Sequence, residues 1–190
     1  ARRRGNRGWA DFAAATLVLA LPMEAFEELK CIGRGSYGAA FLVRTRDSGE
    51  QRVVKKVSIS LLGEEEQEQA HREVELLQEL DHPNIVDFFD HFIANDELHI
   101  VMLYCEGGDL STRIKEAAKE GTFFPEQLVL EWTAQVASAL CYMHRQRVLH
   151  RDLKTSNVFL TSENVVKLGD FGISRVLDST LEQAKTVVGT

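Results

Sequence analysis

The sequence predicts an α+β fold in two lobes, a small β-rich one followed by a mainly helical one. Three observations lead there. Apolar alternation broken by turn chemistry fills Phe26 to Ile59. One helical pattern follows, and strands resume until "EGGDL" at Glu106–Leu110 interrupts them. Beyond that break a long three- and four-residue apolar spacing takes over. Hydrophobic residues make up 44% of the 190, enough for a buried core.

The bulk numbers exclude several function classes. A net charge of −7 counts against nonspecific nucleic-acid binding. The acidic stretch "GEEEQEQAHREVE", Gly63–Glu75, reads as a solvated helix face. Cys31, Cys105 and Cys141 are odd in number and lack C-x-x-C spacing, which argues against a disulfide framework or zinc site and fits a reducing compartment. The six histidines show no H-E-x-x-H pattern.

Residues 1–22 carry four arginines and then an apolar run from Phe12 to Leu21. The run resembles a signal peptide and is too short to span a bilayer. These residues are expected to be an extension outside the fold, with "MEAFEELKCIG" from Met23 as the domain start.

"FEELKCI" reads as the first strand. Next comes "IGRGSYGAAFLV", Ile32–Val43, with Gly33, Gly35 and Gly38 at G-x-G-x-x-G spacing. "AAFLVRT" is extended, "RDSGE" is a turn, and "QRVVKKVSI" alternates as another strand. The glycines therefore lie among antiparallel hairpins. A dinucleotide-binding fold needs a helix to open directly after them, and none does.

Leu61–Leu80 is a helix candidate with Ala70, Val74, Leu77 and Leu80 on one face, stopped at Pro83. Two strands around Asn95-Asp96 follow. Pro125–Gln146 reads as a long helix with Pro125 in its first turn. Its stripe of Leu128, Trp132, Val136, Leu140 and Met143 is core rather than cofactor site. The remainder reads as short strands and loops. A nucleotide is expected in the cleft between the lobes.

The chemistry lies in an ordered set. Val53-Val54-Lys55-Lys56 sits on the strand after the glycine hairpin, Glu73 on the acidic helix, "LHRDLKTSN" at Leu149–Asn157 and "LGDFG" at Leu168–Gly172. In this set the chain resembles the eukaryotic protein kinases over about residues 24 to 190. More narrowly, "HPNIV", "YCEGGDL", "HRDLKTSNVFL", "KLGDFGISRVL" and "AKTVVGT" resemble the NIMA-related (Nek) serine/threonine kinases.

The resemblance implies a bilobal fold, with residues 23–105 as N-lobe and hinge and 106–190 as a partial C-lobe ending inside the activation segment. It implies transfer of the ATP γ-phosphate to protein serine or threonine hydroxyls with Mg²⁺. The alternatives are a pseudokinase or binding scaffold, or an inactive fragment. It implies a protein substrate, no nucleic acid, no membrane span and a cytoplasmic, cytoskeleton-associated setting. Oligomeric state is not indicated.

Its site residues follow position by position. Ile32, Gly33, Arg34, Gly35, Ser36, Tyr37 and Gly38 form the phosphate hairpin, and Ala40 and Val53 the roof over adenine. Lys55, which matches the family lysine after Val53-Val54, pairs with phosphates and Glu73, and alternation then points its neighbour Lys56 to the other face. Met102 is the gatekeeper, Leu103 and Cys105 bind the adenine edge through backbone, Asp109 reaches the ribose and Phe159 is the floor. Asp152 accepts the substrate proton, Lys154 steadies the γ-phosphate, and Asn157 and Asp170 hold Mg²⁺. Arg151 pairs with a phosphate on Thr186, and His150 is a packed support for the loop. The family usually places valine at Ala40 and alanine at Val53, so the two sizes are exchanged here. Val53 is expected to fill part of the space Ala40 leaves.

Overall fold

The computed structural model describes residues 23–35, 38–60, 74 and 78–169. The expectations for residues 1–22, Ser36, Tyr37, Glu73, Leu77, Asp170 and Thr186 lie outside them.

Five strands, β1 (Phe26–Gly35), β2 (Gly38–Thr45), β3 (Gln51–Ser58), β4 (Phe88–Ala94) and β5 (Glu97–Leu103), form one antiparallel sheet in the order β1-β2-β3-β5-β4. The β4–β5 hairpin turns at Asn95 and Asp96, with φ of 53° and 58°. Positive φ at both central residues is what a type I′ turn requires, and Asn and Asp tolerate it. Helices α1 (Leu110–Glu120) and α2 (Glu126–Arg145) follow, then the small hairpin of β6 (Val158–Leu160) and β7 (Val166–Leu168). The architecture is the expected α+β, a β-rich lobe followed by a helical one.

Period-two burial gives the large sheet two different faces. On the outer face Phe26, Val43, Val54, Phe92 and Val101 form their own cluster, with the Phe26 and Phe92 rings stacked 6.4 Å apart. On the inner face Val57, Leu98 and Ile100 join the main core. That core also holds Trp132, Ala139 and Met143 of α2 and Val158, Leu160, Val166 and Leu168 of the small hairpin. The expected α2 stripe is thus core, and the Trp132 indole N–H donates to the Asn164 carbonyl at 3.0 Å. Pro125 stands one residue earlier than expected, as the N-cap, because its φ of −55° suits helix entry while its ψ of 138° is extended.

Within the Leu61–Leu80 helix candidate, Val74 and Gln78 are helical, and Val74 and Leu80 are buried. Helix α1 has no fully buried residue, although Leu110 packs against the main core. Its ends carry the clearer signal. Asp109 caps the start, and Gly121, in the left-handed region at φ 68°, closes the end with its N–H on the Ala117 and Ala118 carbonyls.

The segment before β4 ties the two lobes. Asn84 donates its side-chain amide to the Val166 carbonyl and to Gln135, each at 3.1 Å. The Val86 N–H donates to the Leu168 carbonyl at 2.9 Å, and the Leu168 N–H to the Asn84 carbonyl at 2.8 Å. Lys167 pairs with Asp87 at 2.7 Å. All three cysteines are free thiols. Among the described residues no helix is long and apolar enough to cross a membrane.

Candidate active site

A cleft of about 360 Å³ opens beneath the inner face of the sheet. Ile32, Gly33, Ala40, Val53 and Lys55 line it from above, Met102, Leu103, Cys105 and Asp109 along the inter-lobe connection, and Phe159 from β6. All of these were expected from the sequence. Val86, Tyr104, Gly108, Ser156 and Gly169 also line it. They fall within the quoted motifs but have no role assigned there, because their place in the cleft follows from segments distant in sequence coming together.

Strand register decides which lysine enters. Lys55 and Val53 face the cleft, whereas Lys56 lies across the sheet, 2.7 Å from Glu28 and 4.3 Å from the centre of the Phe41 ring. Lys55 is therefore the cleft lysine, as the resemblance implies, and alternation puts Lys56 on the opposite face. Along the same face, Ala40 pairs with Lys55 and Val53 with Leu42 and Met102. Val53 thus stands in the row beside Ala40 and not directly opposite it.

The glycines differ. A Cβ on Gly33 would meet only the Ala40 Cβ, at 3.9 Å, so no protein contact demands glycine there. A Cβ on Gly38 would collide with the Lys56 carbonyl oxygen, so strand packing alone demands glycine. Arg34 and Gly38 line a separate recess with Phe41, Lys56 and Glu97 and are not brought to the cleft. Gly35 closes the β1–β2 ladder opposite Gly38.

At the inter-lobe connection the Leu103 N–H donates to the Asp87 carbonyl at 2.9 Å, and the Cys105 carbonyl accepts from the Gly108 N–H at 3.1 Å. Burial pushes the Cys105 thiol up to about 12. Asp109 is more engaged than a free ligand group. Its Oδ1 accepts from the Thr112 N–H at 2.9 Å and its Oδ2 from the Thr112 hydroxyl at 2.7 Å.

The loop before β6 gathers Asp152, Lys154 and Asn157. Lys154 Nζ lies 2.7 Å from Asp152 Oδ2. The Asn157 amide nitrogen donates to Asp152 twice at 2.9 Å, to its carbonyl and to Oδ2. The hydrogen bond from Lys154 holds the Asp152 carboxyl below its ordinary range, with Asn157 adding to it and slight burial opposing. His150 is buried and its carbonyl accepts from the Asp152 N–H at 2.8 Å, the expected supporting place. Arg151 is exposed, in the left-handed region at φ 62°. Asn157 is buried, and its carbonyl accepts the Gly169 N–H at 3.0 Å, which carries the chain to the edge of Asp170. Among the described residues no three His, Cys, Asp or Glu side chains cluster as a metal site.

Comparison with known proteins agrees with this geometry. Residues 26–190 match the family described as Protein kinase domain. The chain is 46% identical over 168 residues to the serine/threonine-protein kinase Nek1 of Mus musculus, covering 88% of this chain and 14% of that protein. It is 45% identical over 171 residues to Nek4 of Mus musculus, covering 90% of this chain and 21% of that protein. It is 41% identical over 169 residues to Nek5 of Homo sapiens, covering 88% of this chain and 24% of that protein. The chain thus spans at most 24% of the length of these three relatives. A lysine turned into a cleft, an aspartate braced by Lys154 and Asn157, and this similarity converge, and the chain belongs to the protein kinase family.

Proposed function

We propose that this chain transfers the γ-phosphate of ATP to serine or threonine hydroxyls of proteins, in a Nek-like setting. The family implies ATP, a divalent metal and a protein substrate. The observation that carries the reading is the Asp152–Lys154–Asn157 group, joined through Asn157 to Gly169 at the cleft.

Each residue has work that its chemistry suits. Lys55 places a cation under the sheet, where phosphates need one. Gly33 leaves its place clear of any side chain. Leu103 and Cys105 offer backbone groups to an adenine edge, between Val53 and Met102 above and Phe159 below. Asp152 is a carboxylate at neutral pH and therefore an acceptor for the substrate hydroxyl. Held below its ordinary range, it is a weak base, so it orients the hydroxyl first and takes the proton late in the transfer. Lys154 is half-exposed and can reach a γ-phosphate while still paired with Asp152.

The Asn157 amide nitrogen is committed to Asp152, which leaves its amide oxygen as the donor for a hard cation. With the Asp170 carboxylate it would hold Mg²⁺, whose chemistry is to neutralise charge on the phosphates. Arg151 would receive a phosphate on Thr186, ordering that segment by charge-assisted bonds.

Phosphate transfer to a protein acceptor, compared between wild type and Asp152→Asn, tests the reading. The variant is expected to lose about 10²–10⁴-fold in rate while still binding ATP. Equal rates would refute the assignment and leave a scaffold that binds nucleotide.

A further inference from the structure

We infer that Thr112, outside every motif of the cleft, is a positioning residue that sets Asp109 for the sugar of the nucleotide. The inference rests on the nucleotide reading above.

The Asp109 backbone is immobilised from β6. It bridges to Phe159, the Gly107 N–H donates to the Leu160 carbonyl at 2.8 Å, and the Leu160 N–H donates to the Gly108 carbonyl at 2.9 Å. The side chain lines the cleft and also caps α1. Capping needs one bond, from the Thr112 N–H to Oδ1. The second bond, from the Thr112 hydroxyl to Oδ2 at 2.7 Å, is surplus to the cap.

That second bond has a different consequence. An aspartate's last torsion is broad, so one anchored oxygen leaves the carboxylate plane free to turn. Anchoring both oxygens to one residue fixes the plane. Each oxygen keeps a further lone pair, so the carboxylate can still accept a sugar hydroxyl. A group ordered before binding loses less freedom on binding. Thr112 therefore sharpens recognition of a ribose hydroxyl without touching the nucleotide.

The test is calorimetric titration of ATP, 2′-deoxy-ATP and 3′-deoxy-ATP into the wild-type chain, Thr112→Val, Thr112→Ser and Asp109→Ala. Thr112→Ala replaces the valine variant if that one fails to melt cooperatively. Wild type is expected to prefer ATP over one deoxy analogue by about tenfold, the worth of one hydrogen bond to a charged acceptor. Thr112→Val should cut the preference to about twofold by weakening ATP alone, and Thr112→Ser should restore it. Asp109→Ala should abolish it. An unchanged preference in Thr112→Val, or equal weakening of all three nucleotides, overturns the positioning role. ATP binding without any preference in wild type overturns the Asp109 sugar contact and the inference with it. Absence of any nucleotide binding overturns the reading of the cleft itself.

Discussion

The two faces of the five-stranded sheet use the same strands for opposite ends. The outer face is closed by Phe26, Val43, Val54, Phe92 and Val101. The inner face is core only in part, and the rest of it roofs the cleft with Ala40, Val53 and Lys55. Lys55 and Lys56 show the contrast within one peptide unit. Lys56 belongs to the packed face, set over Phe41 and paired with Glu28, and Lys55 to the open one. Strand periodicity lets a small sheet carry structure and chemistry without either displacing the other.

Exchanging the two lysines' roles is the strongest way to break the comparison. Lys55→Met should lower the phosphate-transfer rate about a hundredfold or more, the usual loss of one electrostatic group at a reacting centre. Lys56→Met should leave the rate within about twofold and lower stability by about 1 kcal/mol, the sum of a surface ion pair and an exposed cation–π contact. Steady-state rates and denaturant melts on both variants check this, and equal rate losses would erase the distinction.

The glycines offer the next contrast. Gly38→Ala meets the Lys56 backbone and should destabilise the fold by about 1–3 kcal/mol, read from denaturant midpoints. Gly33→Ala meets only ordinary contact and should keep stability within about 0.5 kcal/mol. A larger loss at Gly33 than at Gly38 would reverse the assignment of packing and clearance.

A smaller effect sharpens the catalytic group. Lys154→Ala removes the main cause of the lowered Asp152 value, so that value should rise toward the ordinary carboxylate range. A lowered carboxyl contributes stability above the ordinary range and loses it as pH falls through the folded value. With the gap narrowed, the variant should hold less of that contribution at neutral pH and lose less stability than wild type as pH falls through the carboxylate range. Carbon-13 titration of Asp152 reads the shift, and no movement would deny Lys154 its part. The smallest test concerns thiols. Iodoacetamide at neutral pH should label exposed Cys31 and Cys141 and spare Cys105, whose thiol stays protonated.

The hairpins and the long helix were legible because each follows from a local period, and the choice of Lys55 because its motif matches the family lysine, with alternation sending Lys56 to the other face. Helix α1 is short and has no fully buried residue, so its apolar spacing is a weak signal, although Asp109 and Gly121 mark its ends. The roles of Arg34 and Gly38 depend on which side of the sheet they line, which spacing alone does not reveal. Val86, Tyr104, Ser156 and Gly169 reach the cleft only after distant segments meet. The double engagement of Asp109 by Thr112 is a matter of side-chain geometry, which no motif encodes.

The ties from Asn84 and Asp87 to β7 carry a further consequence, for the order in which the chain can fold. Asn84 reaches Val166 across 82 residues of sequence, and Lys167 reaches Asp87 across 80. The β1–β2 and β4–β5 hairpins close over a few residues each. Closing a long loop costs entropy before its contacts return any, so the hairpins can zip early and the lobe-joining bonds come late. The cleft is then among the last features to acquire its shape during synthesis, when the stretch around Val166 has emerged to meet a sheet already formed.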